Sequence, residues 1–350
     1  MTAGSAVLAE LTTLRVGGPA ARLVTARTTD AVIDAVSECD ARGEPVLVLG
    51  GGSNLLVGDD GFEGTVVRVA TSGVHREAPE RPGTVGVRVA AGEPWDAFVA
   101  RAVAERLAGI ESLSGIPGST GATPVQNVGA YGQEIGERVT AVRAWDRQQG
   151  RVGTVTAADC EFGYRHSRFK EERFRGGPRF VILEVTLALE PSELSAPVRY
   201  AELARTLGVD AGARAGLDAV REAVLGLRRG KGMVLDEGDH DTWSAGSFFT
   251  NPVLDSASAA ALPEDAPRWP MPQGQVKTSA AWLIEHAGFG RGFGSPGPAT
   301  LSTKHVLALT NRGGARAKDL IDLAREVRAG VLARFGVELE PEPVLVGCAL

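Results

Sequence analysis

The sequence predicts an α+β fold with two domains, and three observations lead to this prediction. Short apolar or β-branched runs and segments with helical spacing of apolar residues are mixed along the chain. A length of 350 residues is enough for two domains, each with its own core. Residues 191–197, rich in Pro and Ser, have the composition of a linker, so we place a boundary near residue 195.

Strands are predicted wherever apolar or β-branched residues alternate or form a short run. Such segments lie at 45–49, 65–70, 84–90, 139–145, 152–156, 180–189, 305–310 and 343–346. The first of them leads directly into three glycines, which is typical of a buried strand that ends in a tight loop.

Helices are predicted from apolar residues at helical spacing and from end signals. Thr29 or Asp30 is suited to cap the first helix, and Pro94 to begin the second. Gly336 follows a long helix at 317–335 as its C-cap. Two further helices are predicted at 217–228 and 279–286, and residues 254–270 have the composition of a surface insertion.

Composition restricts the classes of function. A net charge of −6 without a long basic run disfavours nucleic acid or an anionic membrane as a partner. Neither a signal peptide nor an apolar stretch of membrane-spanning length is evident. Cys39, Cys160 and Cys348 lack zinc-ligand spacing, and their sparse, odd number is typical of a reducing compartment. We therefore expect a cytoplasmic protein without a metal site.

Two glycine-rich loops are candidates for ligand binding. The first, 50–54, is not a dinucleotide fingerprint because Leu55 stands where the third glycine belongs; its backbone N–H groups could hold an anion, or it could be a plain turn. The second, within 109–136, combines Gly, Pro, amides and a tyrosine, which favours a ligand over an irregular linker. A third segment, 226–232, departs from the P-loop pattern at Leu225 and Gly232 and is interpreted as a helix end.

Five segments in order, 48–57, 115–132, 162–170, 244–252 and 339–343, resemble the UDP-N-acetylenolpyruvoylglucosamine reductase (MurB) family. The resemblance implies a vanillyl-alcohol-oxidase/PCMH-like FAD-binding domain at 1–195, with α+β lobes at about 1–70 and 71–195. An α+β substrate-binding domain follows at 196–350. Its last strand, at about 337–350, is expected to return to the flavin site.

The family's activity is the reduction, with NADPH and FAD, of UDP-N-acetylglucosamine enolpyruvate to UDP-N-acetylmuramate for peptidoglycan synthesis. By resemblance we expect non-covalent FAD, since neither glycine loop contains histidine, and a monomer. The positions that match the family's FAD-binding segments are Gly50, Gly51, Gly52, Ser53, Asn54, Leu55, Gly115, Pro117, Gly118, Ser119, Gly121, Ala122, Asn127, Gly129 and Ala130.

Three residues match the family's catalytic positions. Ser247 matches the proton donor, although its residue type alone favours a turn serine. Arg165 matches the arginine that binds the substrate carboxylate; the alternative is a surface arginine such as Arg168. Glu342 matches the catalytic glutamate, and Glu340 competes for this assignment because strand alternation places both on one face.

Four further residues match substrate-binding positions. Tyr200 matches the tyrosine of the family's longer subtype, which contacts the diphosphate; the alternative is a tyrosine that packs on a small helix. Lys231 matches a phosphate-binding lysine or is a cation at a helix end. Asn251 and Lys277 are expected at the nucleotide sugar.

Two other functions remain as alternatives. Another FAD-dependent sugar or alcohol oxidoreductase of the same superfamily would react rapidly with oxygen. A non-catalytic protein that binds nucleotide sugars would be colourless when purified.

Overall fold

The computed structural model describes residues 6–79 and 81–350; residues 1–5, part of the predicted first lobe, and residue 80 lie outside the described residues. The chain divides into two compact units. Within the described residues, the first contains Ala20–Gly51 and Glu63–Gly230, and the second contains Ala6–Pro19, Gly52–Phe62 and Lys231–Leu350.

The first unit is built around a six-stranded antiparallel sheet. Its strands, in spatial order, are Arg151–Thr156, Val139–Asp146, Phe180–Pro191, Val85–Ala90 and Val74–Glu77, and Leu107–Ala108 pairs with the end of the long third strand. A second sheet has the order Pro19–Ala26, Phe62–Val69 and Val46–Leu49, the last two being parallel. Helices Thr29–Arg42 and Trp95–Ala104 contribute to the common apolar core.

The first helix begins one residue earlier than the sequence predicts. Thr28, rather than Thr29 or Asp30, has the extended backbone of a cap, and its side chain accepts the N–H of Ala31 at 3.2 Å. Asp30 instead lies in the first turn, where a negative charge is favourable.

Residues 196–230 pack with the first unit, beyond the boundary predicted near 195. Helices Ala201–Leu207 and Leu217–Gly230 share an apolar cluster that includes Val198, and Leu217 packs with Val103 and Ala108. The predicted linker therefore leads into a helical pair that buries its apolar face on the same unit. The segment with partial P-loop character is a helix end, as predicted.

The second unit packs the helices Ala280–His286 and Ala317–Phe335 on a core that includes Phe248 and Phe249. Gly336 caps the long helix in a left-handed conformation, as predicted. Its strands are Val253–Leu254, Val276–Thr278 and Arg268–Pro270 in one small sheet, Ala299–Leu301 paired with Leu309–Asn311, and Val344–Val346 parallel to Leu55–Val57.

One prediction for the second unit needs correction. The strand expected at 305–310 is restricted to Leu309–Asn311, because the chain turns before it and the Ala308 N–H donates to the His305 carbonyl. The segment 254–270, predicted as a surface insertion, is mostly exposed and contains helix Ser256–Ala260 and a strand that pairs with Val276–Thr278.

Short elements complete the described chain. They are the strands Ala6–Val7, Gly129–Ala130, Gln133–Glu134, Arg173–Phe174 and Gly177–Pro178, the α-helix Arg168–Glu171, and the 3-10 turns Leu8–Leu11, Glu111–Leu113, Thr120–Ala122, Ile135–Glu137, Ala158–Cys160, His240–Thr242 and Pro272–Gly274. Within residues 6–79 and 81–350, no helix has the length and apolar character needed to cross a membrane.

Candidate functional site

Gly50 and Gly51, the part of the first glycine loop that belongs to the first unit, lie against the second glycine loop. A Cβ atom on Gly50 would lie 2.3 Å from Ser119 Oγ, and one on Gly51 would lie 2.6 Å from the Gly118 Cα. A Cβ atom cannot fit at such distances, so Gly50 lies directly against the Ser119 side chain and Gly51 against the Gly118 backbone. The sequence predicted both loops as ligand-binding segments, and the structure brings these parts of them together.

The second loop is fixed by the start of helix Trp95–Ala104. The Trp95 N–H donates to the Gly118 carbonyl at 3.0 Å, and the Gly121 N–H donates to Ala91 at 2.8 Å. Ser119 forms an antiparallel bridge with Pro94. The loop is therefore held by its backbone, while Ala122 at its end is exposed.

Asp96 connects this loop to helix Leu217–Gly230. Its carboxylate accepts the Gly115 N–H at 2.6 Å and both terminal nitrogens of Arg221, at 2.7 and 3.0 Å. Burial opposes ionisation, but the hydrogen bonds from Arg221 and Gly115 and the Arg221 charge outweigh it, so the pKa of Asp96 is lowered. Sequence analysis missed this residue, because an aspartate in a first helical turn is ordinary.

The side-chain amide of Asn127 is buried and fully hydrogen-bonded within the protein. It is buried, its Nδ2 donates to Glu134 at 2.7 Å and to the Gly163 carbonyl at 3.1 Å, and its Oδ1 accepts the Gly136 N–H at 2.9 Å. Both amide hydrogens are thereby used within the protein. Gly129 and Ala130 form one strand of the adjacent hairpin, and Pro117 lies half-buried between the two glycines of its turn.

Arg165 lies at the tip of a tight hairpin. Gly163 and His166 exchange backbone hydrogen bonds at 3.1 and 3.2 Å, and Arg165 has a positive φ of 52°. Ser167 Oγ donates to the Val125 carbonyl at 2.7 Å, which together with Asn127 ties this hairpin to the second glycine loop. The half-buried arginine is thus displayed from a fixed turn.

Arg168, three residues away, forms contacts within the first unit. Its guanidinium pairs with Glu172 and lies 5.3 Å from the centre of the Phe180 ring. The two arginines, which their residue type does not distinguish, therefore differ in backbone conformation and in surroundings.

The second unit brings Ser247 and Glu342 onto neighbouring segments. The Glu342 N–H donates to the Phe248 carbonyl at 2.8 Å, and the Thr250 N–H donates to the backbone carbonyl of Glu340 at 3.0 Å. Between them, Phe249 and Pro341 form an antiparallel β-bridge. Phe248 and Phe249 are both buried and anchor the serine segment in the core.

Exposure distinguishes the two candidate glutamates. Glu340 is exposed, whereas Glu342 is half-buried and its carbonyl accepts Asn54 Nδ2 at 3.3 Å. The Val344 N–H donates back to the Asn54 carbonyl at 3.0 Å. The last strand, Val344–Val346, thus lies beside Asn54 and Leu55. In the same loop the Gly52 carbonyl accepts the Thr13 N–H, and Ser53 is half-buried.

The predicted substrate-binding residues belong to both units. Tyr200, in the first, is 45% exposed and precedes helix Ala201–Leu207. In the second, Lys231 is half-buried after the end of helix Leu217–Gly230, and Asn251 Oδ1 accepts the Ala280 N–H at 3.0 Å. Asn251 therefore also serves the start of a helix.

Lys277 is half-buried in the central strand of a small sheet, between the exposed side chains of Val253 and Trp269, which the sequence did not single out. In the three-stranded sheet it stands opposite Val253 on one side and Trp269 on the other, with its Nζ 5.9 Å from the centre of the Trp269 ring. Trp269 is 44% exposed. The only available signal in the sequence was a tryptophan within the predicted surface insertion, and composition alone does not distinguish such a residue from any other surface residue.

Cys39, Cys160 and Cys348 are free, and burial raises the pKa of the Cys160 thiol to about 12, which makes it a poor nucleophile. In the part of the chain that the structure describes, no group of three His, Cys, Asp or Glu side chains is placed to hold a metal ion.

Comparison with known proteins accounts for both units. Residues 20–156 match the model of an FAD binding domain, and residues 238–346 match that of the UDP-N-acetylenolpyruvoylglucosamine reductase C-terminal domain. The chain is 57% identical over 345 residues to UDP-N-acetylenolpyruvoylglucosamine reductase of Cutibacterium acnes, with 98% of this chain and 90% of that protein covered. The corresponding Streptomyces coelicolor protein is 56% identical over 356 residues, with 99% and 90% covered.

A solved structure agrees with these matches. The crystal structure of UDP-N-acetylenolpyruvylglucosamine reductase (MurB) from Thermus caldophilus is similar with a TM-score of 0.67 and 25% identity, over 99% of each chain. The predicted α+β, PCMH-like FAD-binding fold is confirmed.

Proposed function

Because the chain belongs to the UDP-N-acetylenolpyruvoylglucosamine reductase family, we propose that Arg165, Ser247 and Glu342 carry its reaction. That reaction is the NADPH-dependent, FAD-mediated reduction of UDP-N-acetylglucosamine enolpyruvate to UDP-N-acetylmuramate for peptidoglycan synthesis. The observation that carries the assignment is the backbone pairing that sets the Ser247 segment beside Glu342.

The glycine loops fit FAD. The absence of side chains at Gly50 and Gly51 lets the two loops pack closely against each other at Ser119 and Gly118. Backbone N–H groups of such glycine-rich loops can bind a diphosphate. Bound in these loops, FAD would supply the hydride carrier between NADPH and the enolpyruvyl group. The proposed FAD-binding positions are those of the two glycine loops. Asn127 contributes by stabilising the second loop through its hydrogen bonds to Glu134, Gly136 and Gly163.

Arg165 is assigned to the substrate carboxylate. Its planar guanidinium can form two parallel hydrogen bonds with a carboxylate and offset the negative charge that develops during reduction. The hydrogen-bonded hairpin supports this role, because an arginine on a fixed turn loses less conformational freedom on binding than an arginine on a mobile loop.

Ser247 is assigned as the proton donor to the carbon next to the carboxylate. A carbanion is far more basic than an alkoxide, so transfer from a serine hydroxyl is downhill. Glu342, which is half-buried, is assigned to the same centre, where its carboxyl group in the protonated form can donate a hydrogen bond to the developing enolate. The exposed Glu340 lacks that surrounding.

The nucleotide sugar is assigned to Tyr200, Lys231, Asn251 and Lys277. Beside Lys277, the exposed Trp269 offers an aromatic face on which a base can stack while the ammonium group meets phosphate. We also propose a cytoplasmic location, which is supported by three free cysteines and by the use of NADPH and a nucleotide sugar. The monomer expected from the sequence stays a prediction.

An anaerobic titration tests the function. Purified protein is followed by visible absorbance while NADPH and then UDP-N-acetylglucosamine enolpyruvate are added. We expect a yellow protein that bleaches with the first addition and regains its colour with the second. Recovery with oxygen alone would indicate an oxidase instead, and a colourless protein that FAD cannot reconstitute would contradict the flavin assignment.

A further inference from the structure

Thr13 connects the first glycine loop to the segment that carries Ser247. It is buried, and its backbone N–H donates to the Gly52 carbonyl at 3.1 Å. Its hydroxyl group donates to the Ser244 carbonyl at 2.7 Å, a contact between residues that are 231 positions apart in the chain. All four residues belong to the second unit. One threonine therefore holds a proposed cofactor-binding residue and the start of the proposed proton-donor turn at a defined separation.

The contact with Gly52 is made by the backbone and does not depend on the Thr13 side chain. Gly52 has a positive φ of 63°, and a Cβ atom there would lie 1.9 Å from the Leu11 carbonyl oxygen and 3.0 Å from Thr12 Cα. No side chain fits at the first of these distances. The backbone before Thr13 thus packs directly on the glycine loop, and substitutions of the Thr13 side chain leave this packing in place.

Asn311 holds the same two segments together. Its Nδ2 donates to the Leu14 and Arg15 carbonyls, at 3.1 Å each. Its backbone N–H donates to the Trp243 carbonyl at 3.0 Å, and the Arg15 guanidinium lies 4.2 Å from the centre of the Trp243 ring. Because these contacts remain, loss of the Thr13 hydroxyl group would not separate the segments.

Ser247 lies in a short turn that is held at both ends. At one end the Gly246 N–H donates to Ser244 Oγ at 3.2 Å, and Gly246 has a φ of 75°. At the other end the Phe248 N–H donates to the Leu307 carbonyl at 2.7 Å. Since glycine gives the chain freedom to turn, the direction of the serine side chain depends on where the two ends are held.

We infer that Thr13 is a positioning residue that orients the Ser247 hydroxyl group for proton transfer. This inference rests on the proton-donor role proposed for Ser247. A hydroxyl group transfers its proton efficiently only from a defined position close to the reacting carbon, so a small displacement of the turn slows that step. Thr13 is buried and its hydroxyl group is used within the protein, so it acts through Ser244 rather than on the substrate.

The decisive comparison is between Thr13→Val and Thr13→Ser. Valine keeps the shape of the side chain and removes the donor to the buried Ser244 carbonyl, whereas serine keeps the hydroxyl group and removes only the methyl group. In anaerobic stopped-flow measurements, we expect Thr13→Val to slow the oxidation of reduced flavin by UDP-N-acetylglucosamine enolpyruvate about 3- to 30-fold. Flavin reduction by NADPH should keep its rate, and Thr13→Ser should restore the rate of the second half-reaction.

Thr12→Val is the matched control. Thr12 and Thr13 are equally buried, with 7% exposure each, and the Thr12 hydroxyl group donates to the Val16 carbonyl at 3.2 Å within its own segment. The control also loses a buried hydrogen bond, so its thermal midpoint should fall by a similar amount while both half-reactions keep their rates. Equal slowing in the two valine variants would make Thr13 a structural residue. If Thr13→Val does not fold, Thr13→Ala and Thr12→Ala give the same comparison.

The solvent deuterium isotope effect supplies a readout that a loss of stability does not change. When the Ser247 hydroxyl group is displaced, proton transfer limits the second half-reaction more strongly. The isotope effect on that half-reaction should therefore be larger in Thr13→Val than in the unsubstituted enzyme, in Thr13→Ser and in Thr12→Val. An unchanged isotope effect in Thr13→Val would overturn the inference.

A double-mutant cycle with Ser247→Ala separates this inference from the proposed function. If Thr13 acts through Ser247, Thr13→Val adds no further slowing when Ser247 is already alanine. Additive slowing, or an unchanged rate in Thr13→Val where Ser247→Ala is slow, would overturn the inference and leave Ser247 as the donor. Equal slowing of both half-reactions by Ser247→Ala would instead remove the proton-donor role of Ser247, and the inference with it.

Discussion

The glycine loops of the first unit and the Ser247–Glu342 segments of the second are both built on close backbone contacts, but they use them differently. At Gly50 and Gly51 a side chain would collide with Ser119 or Gly118 of the second loop, so only backbone groups are available to a ligand. At Phe248 and Thr250 the backbone pairs as in a sheet, and the neighbouring side chains carry the chemistry. Substitutions should therefore impair cofactor binding in the first region and individual reaction steps in the second.

Ser247→Ala gives the largest expected effect. Loss of a positioned proton donor should slow the oxidation of reduced flavin by substrate about 10²- to 10⁴-fold, whereas flavin reduction by NADPH stays near normal. Anaerobic stopped-flow measurement separates the two half-reactions. Equal slowing of both would make Ser247 a structural turn residue.

Arg165→Lys should follow, because an ammonium group cannot make the paired contact with a carboxylate. We expect kcat/KM to fall about 10²- to 10³-fold, as for the loss of a charge-stabilising donor. Arg168→Lys is the matched control and should stay close to the unsubstituted enzyme. Full activity in Arg165→Lys would exclude this residue from the site.

Glu342→Gln should be impaired by about 10- to 100-fold, the equivalent of one hydrogen bond to a charged group. Glu340→Gln should be mild, since that side chain is exposed. Steady-state kinetics of the Glu342→Gln and Glu340→Gln variants test this prediction. A larger loss of activity in Glu340→Gln would assign the catalytic role to Glu340 instead of Glu342.

Gly51→Ala tests the backbone-built region. The added methyl group meets Gly118, and the displacement of one loop by the other should weaken FAD binding about tenfold, as overpacking costs about 1–3 kcal/mol. FAD affinity is measured by fluorescence during reconstitution. Gly153→Ala, where the surroundings are open, should bind FAD normally.

Asp96→Asn should have the smallest effect, about 1–2 kcal/mol of stability at neutral pH. The pKa of Asp96 is lowered from 3.8, so its ionised form stabilises the fold above that pH, and this contribution is lost as pH falls below it. The difference in thermal midpoint between the variant and the unsubstituted protein should thus shrink on acidification from about pH 5 to pH 3. A constant difference would assign the loss to packing, and Asp218→Asn, an exposed ion-pair partner, should cause little change.

Local signals were sufficient for most elements of the fold. Gly336 predicted the end of the long helix because a left-handed cap needs no Cβ, and the alternating run at 139–145 predicted its strand. The cap at Thr28 was missed by one residue, because neighbouring Thr and Asp are almost equally good caps. The segment 305–310 was overextended, because apolar residues in a turn give the same pattern as a strand.

By itself the sequence determined the α+β class, the two glycine loops and, through five ordered segments, the family. Residue type and strand alternation alone could not distinguish Glu340 from Glu342 or Arg165 from Arg168, and they gave no role to Asp96 or Trp269. The surroundings of these side chains depend on partners far apart in the chain, such as Phe248 for Glu342 and Arg221 for Asp96. Periodicity and turn chemistry report on neighbours in sequence, whereas burial and hydrogen bonding of a side chain are decided only when distant segments pack.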